Sequence, residues 1–227
     1  MKKRILSILL LCCMVLTLLP TTVLAADGPM DTIPKYDVSI DVYNRTSDIS
    51  IKDSRSYYIY SSVPDKLRDT WAWDKKIFIK GDKTAPHVFI DGVNIEMSPS
   101  SKGPAIELNK KASAYIYFIG KNSSLQGADG RAAIQKNRSE GQLYVLARTG
   151  TTVTCKGGDK AAGIGGSYAT RNISNGYYNG DMYGHGVNMH FGSQTNPDYW
   201  GGTINASGGE YGAGIGAGSW GTALAQT

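Results

Sequence analysis

The chain has 227 residues, a length typical of one domain, and its 41% apolar content is enough for a narrow core. Its net charge is +5, but Lys2, Lys3 and Arg4 supply three of these charges and no acid precedes Asp27, so the rest of the chain carries only +2. So balanced a charge argues against a nucleic-acid-binding protein.

Residues 1–26 have the pattern of a secretory signal peptide. A basic start is followed by an apolar run over 5–19 and by Val23-Leu24-Ala25, a small-residue cleavage site. We expect this signal helix to be removed, leaving a secreted chain with no membrane segment; an uncleaved membrane anchor is the alternative. Its removal leaves Cys155 as the only cysteine, which excludes an intrachain disulfide and a cysteine metal site.

Residues 27–48 are predicted to be a linker followed by an N-terminal cap strand, since 38–43 alternates cleanly between apolar and polar residues. The segment 63–74 carries Pro64, Trp71 and Trp73 and is predicted to be a loop with a short helical turn. Short β-rich runs on either side of this loop predict early, irregular strands at 49–51, 57–60, 77–79, 87–90 and 93–97.

An internal repeat organises the region from residue 49 to residue 227. Gly163-Ile164-Gly165 is repeated at Gly214-Ile215-Gly216, and looser copies surround Ile106 and Ile134. The four isoleucines are 28, 30 and 51 residues apart, and three short β-rich runs lie between successive copies. This pattern predicts an all-β, right-handed parallel β-helix with three short strands per rung and with the repeated isoleucines stacked in its interior.

An insertion accounts for the longest spacing. Residues 167–186 are polar and rich in glycine, asparagine and tyrosine, and we expect them to form a loop that protrudes from the solenoid. Aromatic rings with a polar edge suit sugar faces, so this loop and the following segment are a candidate glycan site; the alternative is that the rings only pin the loop to the solenoid. The candidate ligand-binding residues are Tyr177, Tyr178, Tyr183, Tyr199 and Trp200, with Asn179, Asp181 and His185 as hydrogen-bonding groups.

Three acids recur at one position of the repeat. Asp129, Asp159 and Glu210 each lie five residues before a repeated isoleucine, so a regular stack would align them at one corner. Stacked carboxylates repel unless they are neutralised, either by Ca²⁺ or by the nearby Arg131 and Lys160. The sequence therefore leaves two interpretations, a calcium site or ordinary turn chemistry; no other cofactor is expected.

Enzymatic chemistry has little support in the sequence. Right-handed β-helices include polysaccharide lyases and hydrolases, but such sites need clustered acids, and the acids here are scattered. The sequence contains no His-Glu-x-x-His, Gly-x-Ser-x-Gly or phosphate-loop motif. We therefore expect a protein that is not an enzyme, with a polysaccharide lyase or hydrolase as the minor alternative.

Several motifs occur in an order that resembles a known family. They are Asp91-Gly92-Val93-Asn94-Ile95, Pro104-Ala105-Ile106, Gly120-Lys121-Asn122-Ser123-Ser124-Leu125, Arg131-Ala132-Ala133-Ile134-Gln135 and Ala162-Gly163-Ile164-Gly165-Gly166. Over residues 49–220 they resemble the repeat region of secreted, often cell-wall-attached surface proteins of Firmicutes, which are Gram-positive bacteria. The resemblance implies a carbohydrate-binding or adhesin-like protein whose partner is a cell-surface, dietary or host polysaccharide.

The sequence thus predicts a secreted, cell-wall-associated β-helix that binds carbohydrate or acts as an adhesin. A passive stalk that spaces other domains from the cell wall is the alternative from another functional class. Because Thr227 follows soon after a fresh copy of the repeat, we also expect the chain to be truncated and further domains to lie C-terminal to it.

Overall fold

The computed structural model describes residues 34–219, except positions 82, 99–100, 102, 110, 137–139, 169–170, 175–176, 181–184, 194–195 and 197. The predicted signal peptide and residues 27–33 of the linker lie outside this described part. Within it the chain forms eighteen strands and one short 3₁₀ helix, η1. The all-β prediction is therefore confirmed.

The strands are short, mostly three to five residues long. In chain order they are β1 (Val38–Asp41), β2 (Ile49–Ile51), β3 (Ser56–Tyr60), β4 (Ile77–Ile79), β5 (His87–Asp91), β6 (Asn94–Glu96), β7 (Ile106–Leu108), β8 (Ala114–Phe118), β9 (Ser123–Gln126), β10 (Ile134–Lys136), β11 (Leu143–Ala147), β12 (Thr152–Lys156), β13 (Ile164–Gly165), β14 (Arg171–Ser174), β15 (Tyr177–Gly180), β16 (Met189–Phe191), β17 (Thr203–Ser207) and β18 (Ile215–Gly216). The 3₁₀ helix η1 (Asp65–Leu67) follows β3.

Three sheets contain all the strands except β14 and β15, and every strand pair within them is parallel. Sheet A has the order β1-β3-β5-β8-β11-β16, sheet B has β2-β4-β7-β10-β13-β18, and sheet C has β6-β9-β12-β17. From β5 onward the chain visits sheets A, C and B in turn, with one excursion into β14 and β15. Such long parallel sheets, built from strands far apart in sequence, are consistent with a solenoid.

The predicted isoleucine column exists and is longer than expected. Ile106, Ile134, Ile164 and Ile215 pair directly with one another in sheet B. Two isoleucines outside the Gly-rich repeat, Ile49 and Ile77, extend the column. Ile215 belongs to the outermost strand of the sheet and is 46% exposed, whereas Ile164 is fully buried.

The paired glycines of the repeat are required by close backbone approach between neighbouring turns. A Cβ atom on Gly158 would lie 2.0 Å from the carbonyl oxygen of Ala128, and one on Gly209 would lie 2.1 Å from the carbonyl oxygen of Gly158. Real side chains do not fit such distances, so glycine is needed at this position to let the turns stack. The Gly-rich texture of the C-terminal third therefore reflects tight stacking.

The insertion is a β-hairpin where a loop was predicted. Strands β14 and β15 pair antiparallel, with Ser174 opposite Tyr177, so two residues connect them. The connecting sequence is Asn175-Gly176, which is the commonest signal for a two-residue hairpin and which the loop prediction overlooked. The hairpin lies outside the three parallel sheets, which is how a surplus of residues is accommodated without changing the register.

The predicted loop at 63–74 does contain a helical turn, η1, and it is anchored to sheet C. Trp73 forms a parallel bridge with Ile95 of β6, and its Nε1 donates to the Arg45 carbonyl oxygen at 2.8 Å. The guanidinium of Arg68 donates from Nη1 to the Gly92 carbonyl oxygen at 2.9 Å. This segment therefore lies at the β6 edge of sheet C.

Replacing Ile164 with aspartate tests the interior column. The change would bury an unpaired carboxylate, so we expect a loss of more than about 3 kcal/mol in the free energy of unfolding. Ile215→Asp, in the same column but half-exposed, is the matched control and should lose far less. Urea unfolding followed by circular dichroism measures both, and an Ile164→Asp protein as stable as wild type would contradict the observed register.

Candidate functional site

The structure describes the predicted aromatic site only in part. Asp181 and Tyr183 lie outside the described residues. The structure places Tyr177, Tyr178 and Asn179 in strand β15, but it describes only their backbone and not their side chains. The predicted glycan platform on the insertion therefore stays a prediction. His185, Tyr199 and Trp200, by contrast, are described and partly buried.

Tyr199 and Trp200 pack onto the outer side of sheet A. The Trp200 ring lies 5.1 Å from the Tyr117 ring with a 40° tilt, and the Tyr199 ring meets Trp200 edge-on at 4.6 Å. The Arg148 guanidinium stands 5.7 Å above the Tyr199 ring, and the Thr149 amide donates to the Tyr199 carbonyl oxygen at 2.8 Å. These contacts show that the pair helps to hold its segment against the sheet, as the packing alternative requires.

A column of stacked rings that the sequence analysis missed runs across the outer face of sheet A. His87, Tyr115, Tyr144 and His190 are in register on successive strands. Their successive ring centroids are 4.7, 4.5 and 4.5 Å apart, and the rings are nearly parallel, with interplanar angles of 5°, 8° and 14°. The sequence signal was an aromatic residue or histidine at the first or second position of β5, β8, β11 and β16.

This ring column presents edges to solvent. Because Tyr115 and Tyr144 each have a ring stacked on both faces, neither offers a free face to a sugar ring. Both terminal histidines are also engaged: His87 Nδ1 lies 3.0 Å from the Tyr117 hydroxyl, and His190 Nε2 lies 2.7 Å from the Gln142 amide oxygen. The interior rings of the column are therefore structural, and stacked binding of a sugar on them is blocked.

A polar cleft of about 630 Å³ lies on sheet C, at the corner where the chain passes from sheet A to sheet C. None of its lining residues has an apolar side chain. The lining consists of Asp65, Arg68, Asp69, Asn94, Gly120, Lys121, Asn122, Ser123, Ser124, Thr152 and Thr154. The volume is within the range of small-molecule sites, although the lining is far more polar than is usual for them.

The local sequence fixes the walls of this cleft. Asn94 donates from Nδ2 to the Arg68 carbonyl oxygen at 2.9 Å and accepts at Oδ1 from the Ser124 amide at 3.1 Å, which ties the η1 segment to two strands of sheet C. Lys121 Nζ lies 2.9 Å from Asp65 Oδ1, and Arg68 Nε lies 3.5 Å from the same atom. The hydrogen bond from Lys121 holds the pKa of Asp65 below its usual range.

Several polar groups of the cleft are left free for a ligand. Within the described part of the chain, the side chains of Asp69, Ser124 and Thr154 make no hydrogen bond or ion pair, and all three are exposed. They offer one carboxylate and two hydroxyl groups beside the anchored asparagines. Such a set both donates to and accepts from a ligand that carries many hydroxyl groups.

The polar cleft and the aromatic face meet at the same corner. The Ile119 side chain packs with Tyr58 and Phe89, and Trp200 lies against this cluster. The next two residues, Gly120 and Lys121, line the cleft. A single turn of the chain therefore separates an aromatic surface from a hydrogen-bonding one.

The three predicted acids do align, each in the same kind of turn. The amide of Gly130 donates to the Asp159 carbonyl oxygen at 3.0 Å, and that of Lys160 donates to the Glu210 carbonyl oxygen at 2.9 Å, so Asp129, Asp159 and Glu210 occupy equivalent positions. The residue after each acid has positive φ: 71° at Gly130, 59° at Lys160 and 63° at Tyr211. An acid followed by a left-handed residue is ordinary β-turn chemistry.

A lysine lies beside one of the three acids. Lys160 Nζ lies 3.3 Å from Asp159 Oδ2, and this hydrogen bond raises the pKa of Lys160. Among the described residues no group of three or more histidine, cysteine, aspartate or glutamate side chains is placed to hold a metal ion. Asp129, Asp159 and Glu210 thus lie in equivalent turns, and calcium binding at these acids stays a prediction.

Comparisons with protein-family models, with curated proteins and with solved structures found nothing that matches this chain. The resemblance to Firmicutes surface proteins accordingly stays an expectation from the sequence motifs. In the part of the chain that the structure describes, no helix has the length and apolar character needed to cross a membrane.

Calcium is tested by thermal unfolding. Since a ligand that binds only the native state raises the melting temperature, the turn interpretation predicts no change on addition of millimolar Ca²⁺. A rise that the substitution Asp159→Ala abolishes would show instead that the aligned acids bind the metal.

Alkaline pH should lower the free energy of unfolding through Tyr117, one of the aromatic residues on the outer side of sheet A. Burial raises the pKa of Tyr117 to about 12, whereas an unfolded tyrosine titrates near pH 10. The stabilisation from its protonated hydroxyl is therefore complete below pH about 10 and is lost as the pH rises toward about 12. We expect Tyr117→Phe to lose less stability over this interval than wild type does, measured by urea unfolding.

The control is Tyr144→Phe, which removes a hydroxyl from the same face and corrects for the loss of that group at neutral pH. If wild type and Tyr117→Phe lose equal stability between pH about 10 and about 12, Tyr117 does not contribute to the alkaline transition.

Proposed function

We propose that this chain is a secreted, carbohydrate-binding module built on a right-handed parallel β-helix with three strands per rung. The recurring order of sheets A, C and B supports this architecture, and right-handed connections are the strong preference for parallel strands. The signal-peptide pattern at 1–26 supports secretion, and the resemblance of residues 49–220 supports a cell-wall location.

The observation that carries the proposal is that every side chain lining the cleft on sheet C carries a polar group. A monosaccharide carries several hydroxyl groups, each a donor and an acceptor, and an apolar ligand would leave the free groups of Asp69, Ser124 and Thr154 unpaired. One wall of the cleft is anchored before any ligand binds, because Asn94 donates to the Arg68 carbonyl oxygen and so ties the η1 segment to β6. Preformed hydrogen-bonding groups reduce the entropy lost on binding.

The aromatic surface beside the cleft provides apolar area for the same ligand. Sugars bind best where a ring face and hydrogen-bonding groups are combined, and Trp200 lies on the other side of the corner formed by Gly120 and Lys121. A ligand that extends over this corner would contact the indole. Binding through one such site should be weak, so adhesion would depend on many copies of the protein at one surface.

Two observations favour the alternative functions, a passive stalk and a polysaccharide-degrading enzyme, and both are therefore included in the test. The six-stranded sheets A and B would suit a rigid stalk. The cleft also brings two carboxylates, Asp65 and Asp69, near Arg68 and Lys121, the residue types that a polysaccharide lyase or hydrolase uses. Pull-down on insoluble polysaccharides separates binding from a stalk, and release of reducing sugars or unsaturated products detects an enzyme.

The cleft is tested by removing one hydroxyl without changing the shape of the residue. We expect Thr154→Val to weaken glycan binding about three- to tenfold, the effect of one hydrogen bond. A glycan array followed by calorimetry measures it, with Ser50→Ala, an exposed hydroxyl on sheet B, as the matched control.

Two further variants locate the site. Trp200→Ala tests the aromatic side of the corner, and Tyr178→Ala tests the predicted aromatic site on the insertion. If wild type binds no glycan, the stalk becomes the better explanation. Loss of binding in Tyr178→Ala together with normal binding in Thr154→Val would place the site on the hairpin.

A further inference from the structure

The floor of the cleft is one part of a longer polar surface on sheet C. Asn94, Ser124, Thr154 and Asn205 are in register on β6, β9, β12 and β17, one residue per strand. We call these four residues the central polar column. The first three line the cleft, and Asn205 lies one strand beyond it.

This surface stays polar on both sides of the central polar column. Thr152 pairs with Thr203 on one side, and Lys156 pairs with Ser207 on the other. The inward residues of these strands are apolar except Ser123, and the outward side chains of β9, β12 and β17 are all polar. A hydroxyl or amide group is therefore repeated at the strand spacing, about 4.8 Å, along the direction in which the strands stack.

Within the described residues, the cleft is bounded at its β6 end, and the polar surface continues from it along sheet C to β17. The η1 segment, through Arg68 and Trp73, is bound to β6, the first strand of sheet C. The described residues place no comparable wall at β17, where Asn205 is exposed. Along the direction in which the strands stack, a ligand seated against η1 would extend across β9 and β12 toward β17.

We infer that the ligand is an uncharged, linear polysaccharide that lies across the strands of sheet C, with successive sugar units against successive residues of the central polar column. This inference rests on the proposed function and adds the class and direction of the ligand. The strand spacing is close to the length of one sugar unit in an extended chain, so one polar side chain of the column lies beside each unit.

The charges of the surface favour a neutral polymer. The central polar column contains no ionisable group, and the row beside it carries one exposed lysine, Lys156, and one glutamate two strands away, which cancel in net charge. The basic groups of the cleft, Lys121 and Arg68, both face the carboxylate of Asp65. Asp69 has no such partner and would repel an acidic sugar nearby. An acidic polysaccharide therefore finds no free cation along the floor of the cleft.

The test is a length series of β-1,4-linked gluco-oligosaccharides, from monosaccharide to hexasaccharide, measured by calorimetry. We expect affinity to rise about three- to tenfold with each sugar until the column is filled, then to level off. Polygalacturonate, an acidic polymer of similar extension, should bind more weakly than the neutral chain. Equal affinity for monosaccharide and hexasaccharide would overturn the inference.

Two variants separate this inference from the proposed function. Thr154→Val, inside the cleft, should weaken binding of every oligosaccharide, whereas Asn205→Ala, beyond it, should weaken only the longer ones by about three- to tenfold. Thr203→Val removes the hydroxyl group beside Asn205 on β17 while keeping the β-branched shape, and it should likewise weaken only the longer oligosaccharides. Melting temperatures confirm that each variant folds. A normal Asn205→Ala with a weakened Thr154→Val overturns the axial path and leaves carbohydrate binding in the cleft intact; no binding by wild type overturns both.

Discussion

Parallel pairing between successive passes of the chain is the constraint on which the structure depends. Each strand satisfies its backbone donors and acceptors on the strands above and below, so a shift of one residue would turn every side chain to the opposite face. The number of residues in each pass must therefore stay nearly constant, as the spacings of 28 and 30 residues between Ile106, Ile134 and Ile164 show. Where the spacing grows to 51 residues, part of the surplus forms the hairpin β14–β15 and the register is kept.

The same pairing gives each outer face one repeated chemistry. On sheet A it stacks Tyr115 on Tyr144, and this closes the ring faces to any ligand. On sheet C it aligns Ser124 with Thr154, whose hydroxyl groups do not cover one another and stay available. The same register therefore closes the ring faces on sheet A and leaves hydroxyl groups available on sheet C, because stacked rings cover one another whereas stacked hydroxyl groups do not.

Stacking also tolerates local strain. Lys160 and Tyr211 adopt the left-handed conformation at a position that Gly130 occupies in the preceding turn. A residue with a Cβ pays about 1–2 kcal/mol for this conformation, which the hydrogen bonds to neighbouring turns can offset. The acids before these residues, such as Asp159, are aligned by the turn itself, so their alignment requires no metal.

The sequence by itself determined the all-β class, the repeat and most of the interior column. The repeated glycines and isoleucine mark a place where neighbouring turns approach closely and where one side chain per turn is buried. It did not show that Ile49 and Ile77 belong to that column, since their early strands lack the glycines. It could not show the cleft either, because Lys121 meets Asp65 56 residues away. Which residues become neighbours depends on the register of strands distant in sequence and on the face to which each side chain points, and only the tertiary structure decides both.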